Sequence, residues 1–351
     1  MARVQVAQIH EFNPLEDLRW KTLVERHPDA SIFHTNSWVE ALHRTYGYEA
    51  VVFTTCAPSA PLTNGILFSR VESWLTGSRL VSVPFADHCD PLLRDDELVI
   101  VLRQIEQNFS QYDARYFELR PLLGTISILS QHPTLSKCAS YTIHRLDLRP
   151  PVERLFGRFH PSCIQRKIRR AQREGITTKY GNSDDLLHDF YVLLKMTRRR
   201  HGLPPQPRAW FCNLRDSFGE NLNVRVAYSA ALPVAAVLTI AHRTVMVYKY
   251  GCSDERFHRL GAMPLLFWQT IQEAKSAGME TLDLGRADNH QQGLIDFKDH
   301  LGAISSALSY YKYPSSAVRN SKNRFSTTAI TSRLPQPLLT AAGELLYKHM
   351  G

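Results

Sequence analysis

The sequence predicts an α/β protein, of the α+β kind, with mixed and largely antiparallel sheets in two successive domains. Three observations carry this. Period-2 apolar runs alternate with segments of helical period along most of the chain. In the second half, the runs Asn221–Tyr228, Val234–Ala241 and Val245–Tyr250 are joined by tight turns at Ala230-Ala231-Leu232-Pro233 and His242-Arg243, which makes an antiparallel meander. The length of 351 residues exceeds one ordinary domain, and Arg149-Pro150-Pro151 is the best break, because X-Pro-Pro resists both helix and ladder.

Taken in order, Pro14 to His27 reads as an amphipathic helix with Leu15, Leu18, Leu23 and Val24 on its apolar side. Thr35 or Asn36 caps a helix over Ser37–Tyr46, closed by Gly47. Strands are expected at Ala50–Thr55, Gly65–Val71 and Arg79–Val83. A helix follows at about Asp96–Phe109, where Asp95 and Asp96 complement the macrodipole. Strands at Arg115–Arg120 and Tyr141–Leu148 complete the first domain, residues 1–150.

The second domain, 151–314, opens with a helix over Ser162–Glu174, preceded by Pro161 and stopped by Gly175. Between Arg154 and Arg173 lie seven Lys/Arg residues and no acid, the densest basic run of the chain. Ser183 caps a helix that ends in Arg198-Arg199-Arg200-His201, and an aromatic helix, Trp210–Phe218, precedes the meander. After Val245–Tyr250 come a turn-rich loop, a helix over Met263–Ala277 ended by Gly278, a short strand at Thr281–Leu284, and a polar loop, Gly285–Gln292. A further helix carries Phe297 and Lys298, and an aromatic strand ends at Tyr313. Residues 315–351 read as a basic Ser/Thr/Asn-rich linker followed by a short helix, Pro337–His349.

The formal charge of +9 suits an anionic partner, such as a nucleic acid, a nucleotide-linked substrate or an acidic membrane face. The six cysteines are scattered, with no C-x-x-C and no zinc-like spacing with histidine, so they read as reduced thiols of a cytoplasmic protein without a metal. No signal peptide and no run of about 18 apolar residues is present, so no integral membrane segment is expected, although peripheral membrane contact is compatible with the charge.

The chain resembles the FemAB-like family, including its BioF2-like, GNAT-related branch, most specifically in its second half, with the matching pieces spread over most of its length. The resemblance rests on HTNSWVEALHRTYGY, VSVPFADHCDPLL, CIQRKIRRAQREGI, FYVLLKMTRRRHGLPPQP, VYKYGCSD and LDLGRADNHQQGLIDFKDHLGA, in that order. It implies tandem GNAT-like domains and an amide-forming transferase, the best understood relatives moving an amino acid from aminoacyl-tRNA onto a cell-wall precursor. Acceptors of that class are nucleotide- or lipid-pyrophosphate-linked. The alternatives are an acyl-CoA-dependent N-acyltransferase and a non-catalytic nucleic-acid-binding protein using the basic helix.

CoA-dependent GNAT enzymes carry Q/R-x-x-G-x-G/A before the long helix. Here the aligned residues are His258, Gly261 and Met263, and the bulk of Met263 should obstruct approach of a pyrophosphate to the backbone. No cofactor is therefore expected, the acyl donor being aminoacyl-tRNA in preference to acyl-CoA. The plain reading is that Gly261 only starts the helix turn.

A polar loop at the C-terminal end of a strand makes Arg286 and Asp288 catalytic candidates, and the resemblance adds Lys298, at the FK position that looks like the one meeting substrate charge. An Arg286 ion pair with Asp283 or Asp288 is the structural alternative. Substrate contacts are assigned to Arg166, Arg170, Arg200, His201, Tyr250 and Trp38, against a solvated helix face, a dipole-complementing helix end and a core tryptophan as the bland readings. With no Ser-His-Asp order and no paired Cys and His evident, direct transfer is favoured over a covalent intermediate. Lys298→Met is thus expected to lower transfer severely, by about 10²–10³-fold, while leaving the melting temperature near that of the unaltered protein.

Overall fold

A computed structural model describes residues 8–122, 126–317 and 335–351. Most of the expected linker lies outside the described residues. The chain divides into two compact units, one drawn from Met1–Ser140, Leu308–Arg324 and Tyr347–Gly351, the other from Tyr141–Ala307 and Phe325–Leu346.

The elements of the first stretch are β1 (His10–Phe12), α1 (Leu18–Arg26), α2 (Asn36–Tyr46), β2 (Glu49–Thr54), β3 (Ile66–Val71), β4 (Arg79–Val81), α3 (Asp95–Gln107), β5 (Phe117–Leu119) and α4 (Ile126–Gln131). There follow β6 (Ser136–Asp147), α5 (Val152–Arg158), α6 (Arg166–Arg173), β7 (Thr177–Gly181), α7 (Asp184–Arg200), α8 (Arg208–Phe218), β8 (Leu222–Ser229), β9 (Leu232–His242) and β10 (Val245–Ser253). The last are α9 (Ala262–Ser276), β11 (Thr281–Asp288), α10 (Gln292–His300), β12 (Ile304–Tyr313) and α11 (Gln336–Leu346).

In the first unit the strand order is β1-β2-β3-β4-β5-β12, antiparallel except where β4 runs parallel to β5. Its core packs Leu98, Val101, Leu102 and Ile105 of α3 on Phe53, Phe68, Phe117 and Tyr311 of the sheet. The helix starts follow from local chemistry: Thr35 accepts from the Trp38 amide, and Gly47 ends α2 in the left-handed region.

In the second unit the order is β6-β11-β10-β9-β8-β7. Strands β8, β9 and β10 form the expected meander, and β10 pairs parallel with β11. Helix α9 buries Leu265, Leu266, Ile271 and Ala274 against the sheet together with Ile164, Ile168 and Ala171 of the α6 segment. Burying about 25 cal/mol per Å² of apolar surface, such a layer supplies the main stabilising term. Four of these helices and strands escape the sequence reading: β1, the short helix α4, the edge strand β7, and α5 directly after the proline pair. The polar loop expected from Gly285 is shorter than predicted, because β11 continues to Asp288.

Candidate active site

The site is built on two strands that part company. The pairs shared by β10 and β11 run from Val245↔Thr281 to Val247↔Asp283, and both strands continue well past that point. Each also carries an irregularity there. On β10 the register against β9 shifts between Tyr248 and Tyr250, so Lys249 is an extra residue. A bulge of this kind turns the following side chain over. Tyr248 consequently packs on Phe267 of α9, centroids 4.8 Å apart, while Tyr250 packs on Phe211 of α8 at 5.1 Å. Gly251 is required beside this bulge, since any Cβ there would collide with the Tyr248 hydroxyl.

On β11 the register against β6 shifts between Asp283 and Arg286, and Gly285 takes φ +69°. The bulge is fixed from two sides. The Asp283 carboxylate accepts from the Gly285 amide at 2.7 Å, and the Lys298 ammonium donates to the carbonyls of Gly285 at 2.8 Å and Arg286 at 3.0 Å. Lys298 is 2% exposed. This corrects the expectation that its loss would leave stability unaltered: the side chain is neither solvent-facing nor confined to a substrate contact, because carbonyls released by the bulge need a donor. Nearby, the Arg286 guanidinium lies 4.0 Å from the Tyr141 ring centroid, and Arg145 Nε is 3.8 Å from Asp283 Oδ2. Arg145 is thus one cation beside the Asp283 carboxylate. Buried His144 stands 3.2 Å from Asp299, and desolvation, followed by the Lys298 charge, holds its imidazole below the ordinary range.

A second group of polar residues collects at the far end of β10. The Thr197 hydroxyl accepts from the Ser253 amide at 2.9 Å, and Arg200 donates to the Ser253 carbonyl at 3.2 Å. Ser253 Oγ lies 2.8 Å from His258 Nε2. Partial burial, then the Arg200 charge and more weakly that of Lys167, push the His258 imidazole down. The basic helix and the arginine-rich end of α7, separate in sequence, are therefore brought together here. His258, Lys167 and Ser253 were missed as a group by sequence reasoning; only the TRRRHG and SDERFH segments hinted at them.

The start of α9 lies beside this group and is closed. Gly261 and Ala262 are buried, and Pro264, the third helical residue, has no amide hydrogen to offer. Gly261 is packed so tightly that a Cβ would meet the Lys167 carbonyl oxygen of α6. The main chain of α6 and the ring of Pro264 thus flank the start of α9 along with the Met263 side chain.

The other expected site residues are distributed as follows. Arg166 is exposed on α6, and Arg170 makes a half-exposed ion pair with Glu174 at 3.6 Å. His201 caps the end of α7 beside Arg200. Asp288 ends β11, and the next residue, Asn289, accepts from Thr142 at 3.0 Å. Two residues correct the expectation of substrate contact. Trp38 is fully buried, edge-on to Phe33 at 4.8 Å, and the buried Tyr250 hydroxyl accepts from Trp210 Nε1 at 2.8 Å. Both contribute core packing, because large aromatic rings gain most from burial. All six cysteines are free thiols. No helix among the described residues is long and apolar enough to cross a membrane.

Residues 162–299 match the family model of the acetyltransferase (GNAT) domain. No curated protein matches the chain. Among solved structures, FemX is similar at 13% identity and a TM-score of 0.66, over 86% of this chain and 96% of that one. A tandem GNAT protein from the clavulanic acid biosynthesis pathway is similar at 10% identity and a TM-score of 0.53, over 87% and 98% of the two chains. The C-terminal domain of a putative lysylphosphatidylglycerol synthetase from Agrobacterium fabrum is similar at 12% identity and a TM-score of 0.52, over 90% and 94%. These likenesses show the fold, which is the FemX type of tandem GNAT architecture, and the domain at 162–299 is that of an acyltransferase.

Proposed function

We propose that this acyltransferase forms an amide by passing an aminoacyl group from aminoacyl-tRNA to the amine of an anionic acceptor. The acceptor is a nucleotide- or lipid-pyrophosphate-linked precursor of the cell-envelope or polysaccharide class, met in the cytoplasm. The observation that carries the choice of donor is the closed start of α9. A CoA pyrophosphate is held by exposed amides at a helix N-terminus, and here buried residues, a proline and the α6 main chain stand in that place. The cations around Ser253, with Arg166 and Arg170 on α6 and His201 beside Arg200, favour a phosphate-bearing partner. One of the similar structures is named as a putative lysylphosphatidylglycerol synthetase, which accords with an aminoacyl group and an anionic acceptor.

In this reading the amine nitrogen attacks the ester carbonyl, the carbon–oxygen bond to the tRNA breaks, and the amine proton ends on the released ribose hydroxyl. Asp288 orients the amine and takes its proton. Arg286, two residues earlier and so on the same strand face, meets the oxyanion. Lys298 holds the bulge that presents both and adds positive charge beneath them. Positioning and charge suffice for such a transfer, without a covalent enzyme intermediate.

Thermal shift and single-turnover transfer with charged tRNA and acetyl-CoA test the donor. A true donor at 100 times its dissociation constant stabilises by about 2.7 kcal/mol. Charged tRNA is expected to stabilise saturably and to supply the acyl group. Saturable stabilisation and transfer with acetyl-CoA would overturn this in favour of a CoA-dependent N-acyltransferase, the reading that the acetyltransferase description of the domain favours.

A further inference from the structure

The described residues hold one side-chain group with the makings of a metal site, and it lies outside the transfer machinery. His160, Cys163 and His300 bring two imidazoles and a thiol together, with ligand atoms within 4.8 Å of one another. The two histidines are tied through the backbone, His160 N donating to His300 O at 2.9 Å, and their rings lie 4.5 Å apart. Cys163 is placed by a π-helical turn, Pro161–Gln165, in which the amides of Ile164 and Gln165 both reach the His160 carbonyl. Such turns are locally irregular and recur at functional positions. The Gln165 side chain pins the turn from below by donating to Phe159 O at 2.9 Å. Two segments far apart in sequence thus converge on one point, which is why spacing alone suggested no metal.

We propose that His160, Cys163 and His300 bind a divalent transition metal of the zinc class, with a fourth position open to water or an anion. The donor set decides the class. Two imidazoles and a thiolate are borderline to soft ligands, which suit zinc and exclude the oxygen-seeking magnesium and calcium. Zinc binds nitrogen at about 2.0–2.1 Å and sulfur at about 2.3 Å, so three such atoms around one ion lie about 3.3–3.7 Å apart. The site therefore has to contract by roughly an ångström, a rotamer adjustment. His160 Nδ1 now accepts from the Cys163 amide at 3.2 Å. Whichever ring nitrogen binds the ion, the other then carries the proton, so that single contact is exchanged for the metal bond. The thiol loses its proton on binding, and the imidazoles must be neutral, so affinity falls as the solution is acidified. An ion here would clasp the entry to α6 to the end of α10, the helix that carries Lys298.

The test uses the full chain. After chelation and reloading with Zn²⁺, elemental analysis is expected to give one equivalent per chain. Co²⁺ in its place is expected to give visible d–d absorption and a near-ultraviolet thiolate-to-metal band. Cys163→Ser and His300→Ala should each lose the ion, whereas Cys56→Ser, altering a thiol elsewhere, should retain it. Should a variant fail to fold, the unaltered protein still reports: Zn²⁺ is expected to slow alkylation of Cys163, read by peptide mass, at least tenfold. Substoichiometric metal in the reloaded protein, retention of the ion by either variant, or alkylation of Cys163 at an unchanged rate would overturn the proposal.

Discussion

Replacing Lys298 with Met gives a test in which stability and activity should fall together. The lysine makes two charge-assisted bonds, at 2.8 and 3.0 Å, to main-chain carbonyls released by the β11 bulge. Each such bond contributes about 1.5–3 kcal/mol, and a carbonyl left buried without a donor costs about 1–3 kcal/mol. Methionine keeps most of the stem's packing, so the loss should sit near the lower end, at about 3 kcal/mol. Domain stabilities are only about 5–15 kcal/mol, and a unit of this size shifts by about 2–4 °C per kcal/mol. The expected drop is therefore roughly 6–12 °C, read by scanning calorimetry, with transfer assayed at a temperature where the variant is fully folded. There, loss of charge beside the reacting centre should lower turnover by about 10²–10³-fold. A melting temperature within about 1 °C of the unaltered protein would refute the bulge-clamp reasoning. A full rate in the folded variant would move the electrostatic role to Arg286.

Three further outcomes follow from the geometry. Gly261→Ala should destabilise by about 1–3 kcal/mol, measured by urea unfolding, because a Cβ at φ +80° is strained and meets the Lys167 carbonyl; an unchanged midpoint would show that α6 does not seal the α9 start. Gln at Arg166, Arg169, Arg170 and Arg173 together should weaken charged-tRNA binding and flatten its salt dependence by about one unit of log–log slope for each phosphate no longer neutralised; an unaltered slope would leave α6 as a solvated face. His34 is fully buried, and desolvation holds its imidazole at about 4 against the ordinary 6.5. The unfolded chain therefore takes up the proton first, so stability should fall by about 3 kcal/mol between pH 6.5 and 4, and His34→Gln should remove that slope.

Much of the architecture was legible because it rests on local signals. The Ser183 and Thr35 caps, the Gly47 and Gly278 stops and the meander turns each act within a few residues, and the elements fall within a few residues of expectation. What could not be read depended on tertiary context. Asp283 and Lys298 look like ordinary strand and helix residues until the bulge places two carbonyls above the lysine. Trp38 and Tyr250 carry polar atoms that invite a ligand, yet their rings are worth more in the core. Pro264 was visible in the sequence, and its missing amide was a signal, beside the bulk of Met263, that could have entered the reading of this helix start. The closure by α6 was not visible, since nothing local tells which helix lies over Gly261.

The return of the chain to its first unit bears on the order in which the protein acquires its shape during synthesis. Strand β5 pairs with β4 on one side and with Tyr311–Tyr313 of β12 on the other, and buried Glu118 lies between Arg120 and Lys312. A ribosome that has passed residue 150 has therefore made nearly all of the first unit but not the strand that closes its sheet. At about 5–20 residues per second the wait for β12 lasts roughly 8–30 s, during which β5 presents an unpaired edge and Glu118 lacks one of its two cations. The second unit has its strands before then, so the part made first is the part finished last. Substitutions that slow the second unit's folding should accordingly show as aggregation through the β5 edge, a defect expressed in residues far from the change.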